Sequence, residues 1–249
     1  MALGREGENH GLESSAWFWA NAPGGAGIPV RMGSYDLTIG RSINTTIKDC
    51  RQTTDIEDQA YWGLMASNFC KGITLDNCIF SRFDAHQGVM DVTLKNSIFG
   101  HMATRAVGSG TFIIDRCEVR AQEFFSLRDD YGSTWDGEII IRDCVLKVPD
   151  GKRARIIGGA NNGDHDFGYP CMLPRKVTIE GMFIDDSKIG SPDYRGPALF
   201  SSFRQAENAQ FSPTIEGEII IRDLTVSSGK PLRISDNPSA FAGYTMTVE

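Results

Sequence analysis

Apolar and polar residues alternate in a short pattern that recurs seven times along the chain, each time as an Ile or Leu followed at once by a charged residue. The copies are Thr46-Ile47-Lys48-Asp49-Cys50, Thr74-Leu75-Asp76-Asn77-Cys78, Thr93-Leu94-Lys95-Asn96-Ser97, Ile113-Ile114-Asp115-Arg116-Cys117, Ile140-Ile141-Arg142-Asp143-Cys144, Thr178-Ile179-Glu180-Gly181-Met182 and Ile220-Ile221-Arg222-Asp223-Leu224. With the central Ile or Leu as register mark, the spacings are 28, 19, 20, 27, 38 and 42 residues. Two positions before the mark, six of seven residues are apolar, Thr45 being the exception; five positions after it, six of seven are again apolar, the exception being Gln52. Residues two apart on a strand share a face. Each copy therefore predicts a strand with an apolar inner face and a charged outer one. These β-branched segments, broken by Gly and Asn, lack the i, i+3, i+4, i+7 spacing of an amphipathic helix.

Copies 19 and 20 residues apart are too far apart for tight hairpins, whereas short crossovers through further strands stack them in parallel. The pattern thus predicts an all-β chain, a right-handed parallel β-helix whose coils rise by roughly 4.8 Å each. It reads as one domain over residues 1–249, with 1–36 as an N-terminal coil or end cap in which Trp17, Phe18 and Trp19 pack over the stack. Residues 150–174 and 186–215, where Gly, Pro, Asn and Asp cluster, are expected as loops inserted at coil corners and forming groove walls. Tyr244-Thr245-Met246-Thr247-Val248-Glu249 reads as a last strand without a polar cap. An uncapped parallel end is a pairing hazard, so the expectation is a chain cut from something longer or closed by a partner in a homo-oligomer.

Composition narrows the partners. A chain 41% hydrophobic and 23% charged is that of a folded protein. Its formal charge of -7 gives no general attraction for nucleic acid or anionic lipid. No run of 18 apolar residues occurs, and the first ten residues lack the basic-then-apolar order of a signal peptide; neither a nucleic-acid partner nor membrane insertion is expected. Cys50, Cys78, Cys117 and Cys144 share one offset, with Ser97 in the intervening copy. A buried stack of free thiols is expected there, a Cys50–Cys78 disulfide being the alternative that strand spacing permits. Reduced thiols suit folding in a cytosol. No cofactor is implied, and no metal: Asp84 and His86 are two candidate ligands without a defined third.

The densest polar chemistry follows the second and third copies. Arg82, Asp84 and His86 alternate, and counting equal offsets from the marks brings Asp58, His101, Arg105 and Glu123 onto the same lateral surface. Arginine grips carboxylates in a two-pronged fashion, and His or a carboxylate moves protons in elimination or hydrolysis. The candidate catalytic residues are accordingly Asp84, His86, Arg82 and His101. The candidate substrate-binding residues are Asp58, Arg105 and Glu123, joined by Arg128, Asp130, Tyr131 and Trp135 of the segment Leu127–Gly137, whose exposed rings and carboxylates would hold sugar faces. Two structural readings stand beside these: a salt-bridged ladder that neutralises a coil corner, and a Trp135 that packs back on the coil.

As a repeat style over most of residues 37–248, the chain resembles the pectate-lyase-like superfamily of right-handed parallel β-helices, which includes phage tailspikes, neck appendages and bacterial surface proteins. Arg82-Phe83-Asp84-Ala85-His86 and Asp130-Tyr131-Gly132-Ser133-Thr134-Trp135 carry the closest likeness. The resemblance implies a polysaccharide ligand, a trimer, and a place on a virion surface or outside the cell. It leaves open whether the chain binds a bacterial polysaccharide, cleaves it as a lyase or glycoside hydrolase, or serves as a structural spacer.

Overall fold

The computed structural model describes residues 35–129, 132–160, 171–203 and 213–249; Trp17, Phe18 and Trp19 lie outside them. Every register mark stands beside the next. Ile47 pairs with Leu75, Leu75 with Leu94, Leu94 with Ile114, Ile114 with Ile141, Ile141 with Ile179 and Ile179 with Ile221, always in parallel. Val248 of the last strand, Gly243–Val248, adds an eighth rung on Ile221. Among the described residues helix is confined to 3-10 turns, Pro238–Phe241 and one at Asp129, and no helix is long and apolar enough to cross a membrane. The chain is all-β and parallel, compatible with a solenoid.

Two further rows of strands complete each rung. The second row runs through Ile79, Ile98, Glu118, Val145, Phe183 and Thr225 and buries the apolar positions expected five residues after the marks, from Phe80 to Ile184. The third runs through Leu37, Leu64, Phe83, Thr104, Phe125, Ile157 and Phe200. Two of its members correct an expectation: Arg155–Gly158 and Ala198–Phe200 are strands inside segments that read as loops. Their apolar runs are only two and three residues long, Ile156-Ile157 before Gly158 and Ala198-Leu199-Phe200 after Pro197, too short for alternation to stand out. Residues 161–170 and 204–212 of those segments lie outside the described part.

The corner between the first two rows has one conformation in all seven copies. Two positions after each mark stand Asp49, Asn77, Asn96, Arg116, Asp143, Gly181 and Asp223, all with φ between +49° and +64°. Asn, Asp and Gly tolerate this left-handed region, and their side chains stack from rung to rung: Asn77 Nδ2 donates to Asp49 at 2.7 Å, and Arg116 Nε donates to Asn96 Oδ1 at 2.9 Å. Next to them Cys78, Ser97, Cys117 and Cys144 turn inward and are buried. Cys117 N–H points to Cys144 Sγ at 3.4 Å, and Ser97 Oγ accepts from Cys78 N–H at 3.0 Å. All six cysteines are free thiols, so the disulfide alternative is set aside. Desolvation pushes the Cys117 thiol up to about 12, which keeps it protonated and unreactive.

The position after each mark forms an exposed row whose sign alternates without a break: Lys48, Asp76, Lys95, Asp115, Arg142, Glu180, Arg222 and, on the eighth rung, Glu249. Lys95 Nζ lies 3.5 Å from Asp76, and Arg222 Nε donates to Glu249 at 2.7 Å. Behind it the core is continuous from Leu64 to Phe241. Phe112 meets Phe125 and Trp135 edge-on, with ring centroids 4.9 and 5.2 Å apart. Such pairs add about 1 kcal/mol each beyond the area they bury.

Candidate functional site

Along the third row the outward positions carry the candidate chemistry. On the strand Ile79–Lys95, Phe83 and Ala85 point into the core, which turns Arg82 and Asp84 to the opposite face. They are nevertheless covered, at 2% and 0% exposure. Asp84 Oδ2 lies 3.6 Å from Arg82 Nη1 and accepts from Arg128 Nη1 at 2.5 Å and from the Tyr35 hydroxyl. The Arg82 guanidinium lies over the rings of Tyr35 and Trp62, 4.5 and 4.9 Å from their centroids, and its Nε donates to Trp62 O at 3.1 Å. Burial, and next the neighbouring Asp84 carboxylate, push the Tyr35 phenol above its ordinary range. This is a closed ion cluster with Asp84 at its centre.

Arg82 and Asp84, expected as catalytic groups, are thus buried ones: as placed, neither offers an atom to a polymer arriving from solvent. Arg128 turns inward to Asp84; Leu127 before it packs in the core, and Asp129 after it lines a groove. For Trp135 the arrangement is the one in which it packs back on the coil. At 0% exposure, with Nε1 donating to Gly110 O at 3.0 Å, it is a core residue and offers no sugar-stacking face.

The groove has a volume of about 620 Å³, and a second hollow of about 310 Å³ shares Arg105, Glu123 and Ser126 with it. Arg105, Ser126 and Gly158 are successive register partners; the groove is lined by the first two, by Gly159 beside the third, and by Ser201, just past the strand Ala198–Phe200. The groove thus crosses four rungs, a run of roughly 14 Å at ordinary strand spacing. Glu123 pairs in register with Arg155, whose Nη1 donates to it at 2.9 Å; Ser126 Oγ donates to the other carboxylate oxygen. At one end of the groove Asp236 is shared by three guanidinium groups, Arg233 at 2.5 Å, Arg195 at 3.4 Å and Arg153 at 3.6 Å. Hydrogen bonding from Arg233, reinforced by the charges of all three arginines, holds its carboxyl below the usual range.

Of the expected residues, the structure brings Arg105 and Glu123 together on the groove, and His101 joins them on the second hollow, with Nε2 3.0 Å from Tyr61 O. His86 Nδ1 lies 3.1 Å from Ser67 Oγ and lines neither hollow. Asp58 is exposed and its carboxylate accepts from Ala60 N–H in its own turn; Glu57 and Gln59 line the hollow in its place. Asp130 and Tyr131 lie outside the described residues. Equal offsets mislead here because Gly100-His101-Met102 bulges out of the row: Arg82 pairs with Ala103 and Asp84 with Arg105. Gly100 permits the bulge, since a Cβ there would sit 1.9 Å from Ile56 O. Ser126, Arg153, Arg155, Arg195, Ser201, Ser202 and Asp236 also line the groove and were not singled out in the sequence, although Arg153, Arg155, Arg195, Ser201 and Ser202 fall within the two segments expected to form groove walls.

Among the described residues no group of three His, Cys, Asp or Glu side chains converges to hold a metal ion. The chain matches no protein-family model, and neither a curated protein nor a solved structure is detectably similar to it.

Proposed function

We propose that this chain is a right-handed parallel β-helix of the phage-appendage or bacterial-surface kind, and that it recognises a bacterial polysaccharide along the lateral groove. The observation that carries the reading is the groove's run across four rungs, from Arg105 through Ser126 and Gly159 to Ser201. A ligand that fills roughly 14 Å of polar trough is longer than one sugar. Guanidinium groups, hydroxyls and backbone edges supply the dense directional hydrogen bonding that hydroxyl-rich chains need. Cleavage is the second reading. It rests on two carboxylates, Glu123 and Asp129, on the walls of one trough, since paired carboxylates flanking a sugar bond serve hydrolysis. A homotrimer on a virion or cell surface belongs to the same proposal.

The test is incubation of the full chain with a panel of neutral and acidic capsular polysaccharides, following retention in affinity gels together with new reducing or unsaturated ends. Retention of at least one polysaccharide is expected, weakened tenfold or more by Arg105→Ala combined with Glu123→Gln. Failure of every polysaccharide to bind, or binding indifferent to that double change, contradicts the proposal.

A further inference from the structure

The groove is unusual in what lines it. Among its described residues there is no aromatic ring, while four guanidinium groups, those of Arg105, Arg153, Arg155 and Arg195, face three carboxylates. Neutral sugars are commonly gripped by stacking on exposed rings, and this trough has none to offer in its described part. It has instead an excess of cation in a chain whose formal charge is -7, so the positive character is local to the groove.

The arginines are also incompletely satisfied. Arg155 is neutralised by Glu123 at 2.9 Å. Asp236, by contrast, has two oxygens for three guanidinium groups, and its closest contact, 2.5 Å, goes to Arg233. Arg153 and Arg195 are left at 3.6 and 3.4 Å, with side chains 71% and 72% exposed. Further along the trough Arg105 Nε is buried with no hydrogen-bond partner. A guanidinium is a rigid fork matched to carboxylate and to tetrahedral oxyanions, and these three side chains line one channel towards both its ends.

We infer that the groove takes an anionic glycan, its carboxylate or sulfate groups held by Arg153 and Arg195 at one end and by Arg105 at the other. This rests on the polysaccharide reading above and specifies its ligand class. Carboxylate and sulfate share the oxyanion chemistry that the arginines recognise. Asp236 acts as the resident counter-ion, holding the arginines in place until the ligand's own oxygens take over part of its role.

The experiment compares dextran, carboxymethyl-dextran and dextran sulfate of matched length in affinity gels with the full chain, at low and at physiological salt. Matched backbones isolate the charge. Retention by one or both charged polymers at least tenfold above dextran is expected, weakening with salt as ion contacts are screened. Arg153→Ala combined with Arg195→Ala should cost tenfold or more, whereas Lys71→Ala combined with Lys176→Ala, which removes the same charge elsewhere, should cost less than twofold. An unchanged thermal midpoint shows that the arginine variant is folded. Equal retention of dextran, or equal loss in the lysine variant, overturns the anionic assignment while leaving glycan recognition standing. A single-stranded oligodeoxynucleotide that binds the groove more tightly than either charged dextran overturns the assignment to a glycan. If no polysaccharide of either charge binds in this or the capsular panel, the functional reading itself fails.

Discussion

Asp84 joins side chains from three separate segments without reaching the surface itself. It accepts from Tyr35 and Arg128 and sits 3.6 Å from Arg82, with every member of the cluster largely buried. Removing one partner of a buried ion cluster leaves the others charged and unsolvated, at a cost of roughly 3–5 kcal/mol. Asp84→Ala is therefore expected to lower stability by about that amount in urea unfolding, with Arg82→Met combined with Asp84→Leu recovering part of it. A loss below about 1 kcal/mol would mean that the cluster holds nothing together. The alternation of Arg82 and Asp84 was legible in the sequence, and it placed them correctly on one face. Their burial was not, because Tyr35 and Trp62, which cover Arg82, come from 47 and 20 residues upstream. For Trp135 the sequence left two readings open, since nothing in Thr134-Trp135-Asp136 tells that Gly108, its partner on the neighbouring strand, leaves room for the ring: a Cβ there would stand 3.0 Å from it.

At the scale of the strand, the alternating charges of the outer row specify register. Each charge has its opposite on the rungs above and below, so a slip of one rung would set like charges side by side. Asp115 lies between Lys95 and Arg142, and Asp115→Lys makes three cations adjacent. It should cost roughly 1–2 kcal/mol in urea unfolding at low salt, the sum of two exposed cross-strand pairs reversed in sign. Most of that should vanish at high ionic strength. If the loss matches that of Asp115→Asn at every salt concentration, the row has no electrostatic role. The charged position was plain in the sequence, and so were the mark row and the apolar positions five residues on, because no insertion falls between them. The third row was hidden. Its distance from the preceding mark changes from copy to copy, 8 residues at Phe83, 10 at Thr104 and 21 at Phe200, in the second of these through the bulge opposite Phe80 and Arg82, and a search at constant offset passes over it.

The whole molecule joins these scales. One parallel stack carries a charged row on one side and, on the other, a trough assembled from residues as far apart in sequence as Arg105 and Asp236. The chemistry of that trough depends on rungs being neighbours in space. Pulsed electron paramagnetic resonance between spin labels on the outer row measures this directly, with Cys50 replaced by Ser so that only introduced cysteines are labelled. Lys48→Cys paired with Arg142→Cys spans four rungs, and Lys48→Cys paired with Glu180→Cys spans five. At strand spacing the backbone separations are roughly 19 and 24 Å, so the two distance peaks should differ by about one rung, near 5 Å, on top of a common contribution from the labels. Separations that fail to increase with the number of rungs, or that scale instead with the number of intervening residues, would contradict the stack and with it the groove.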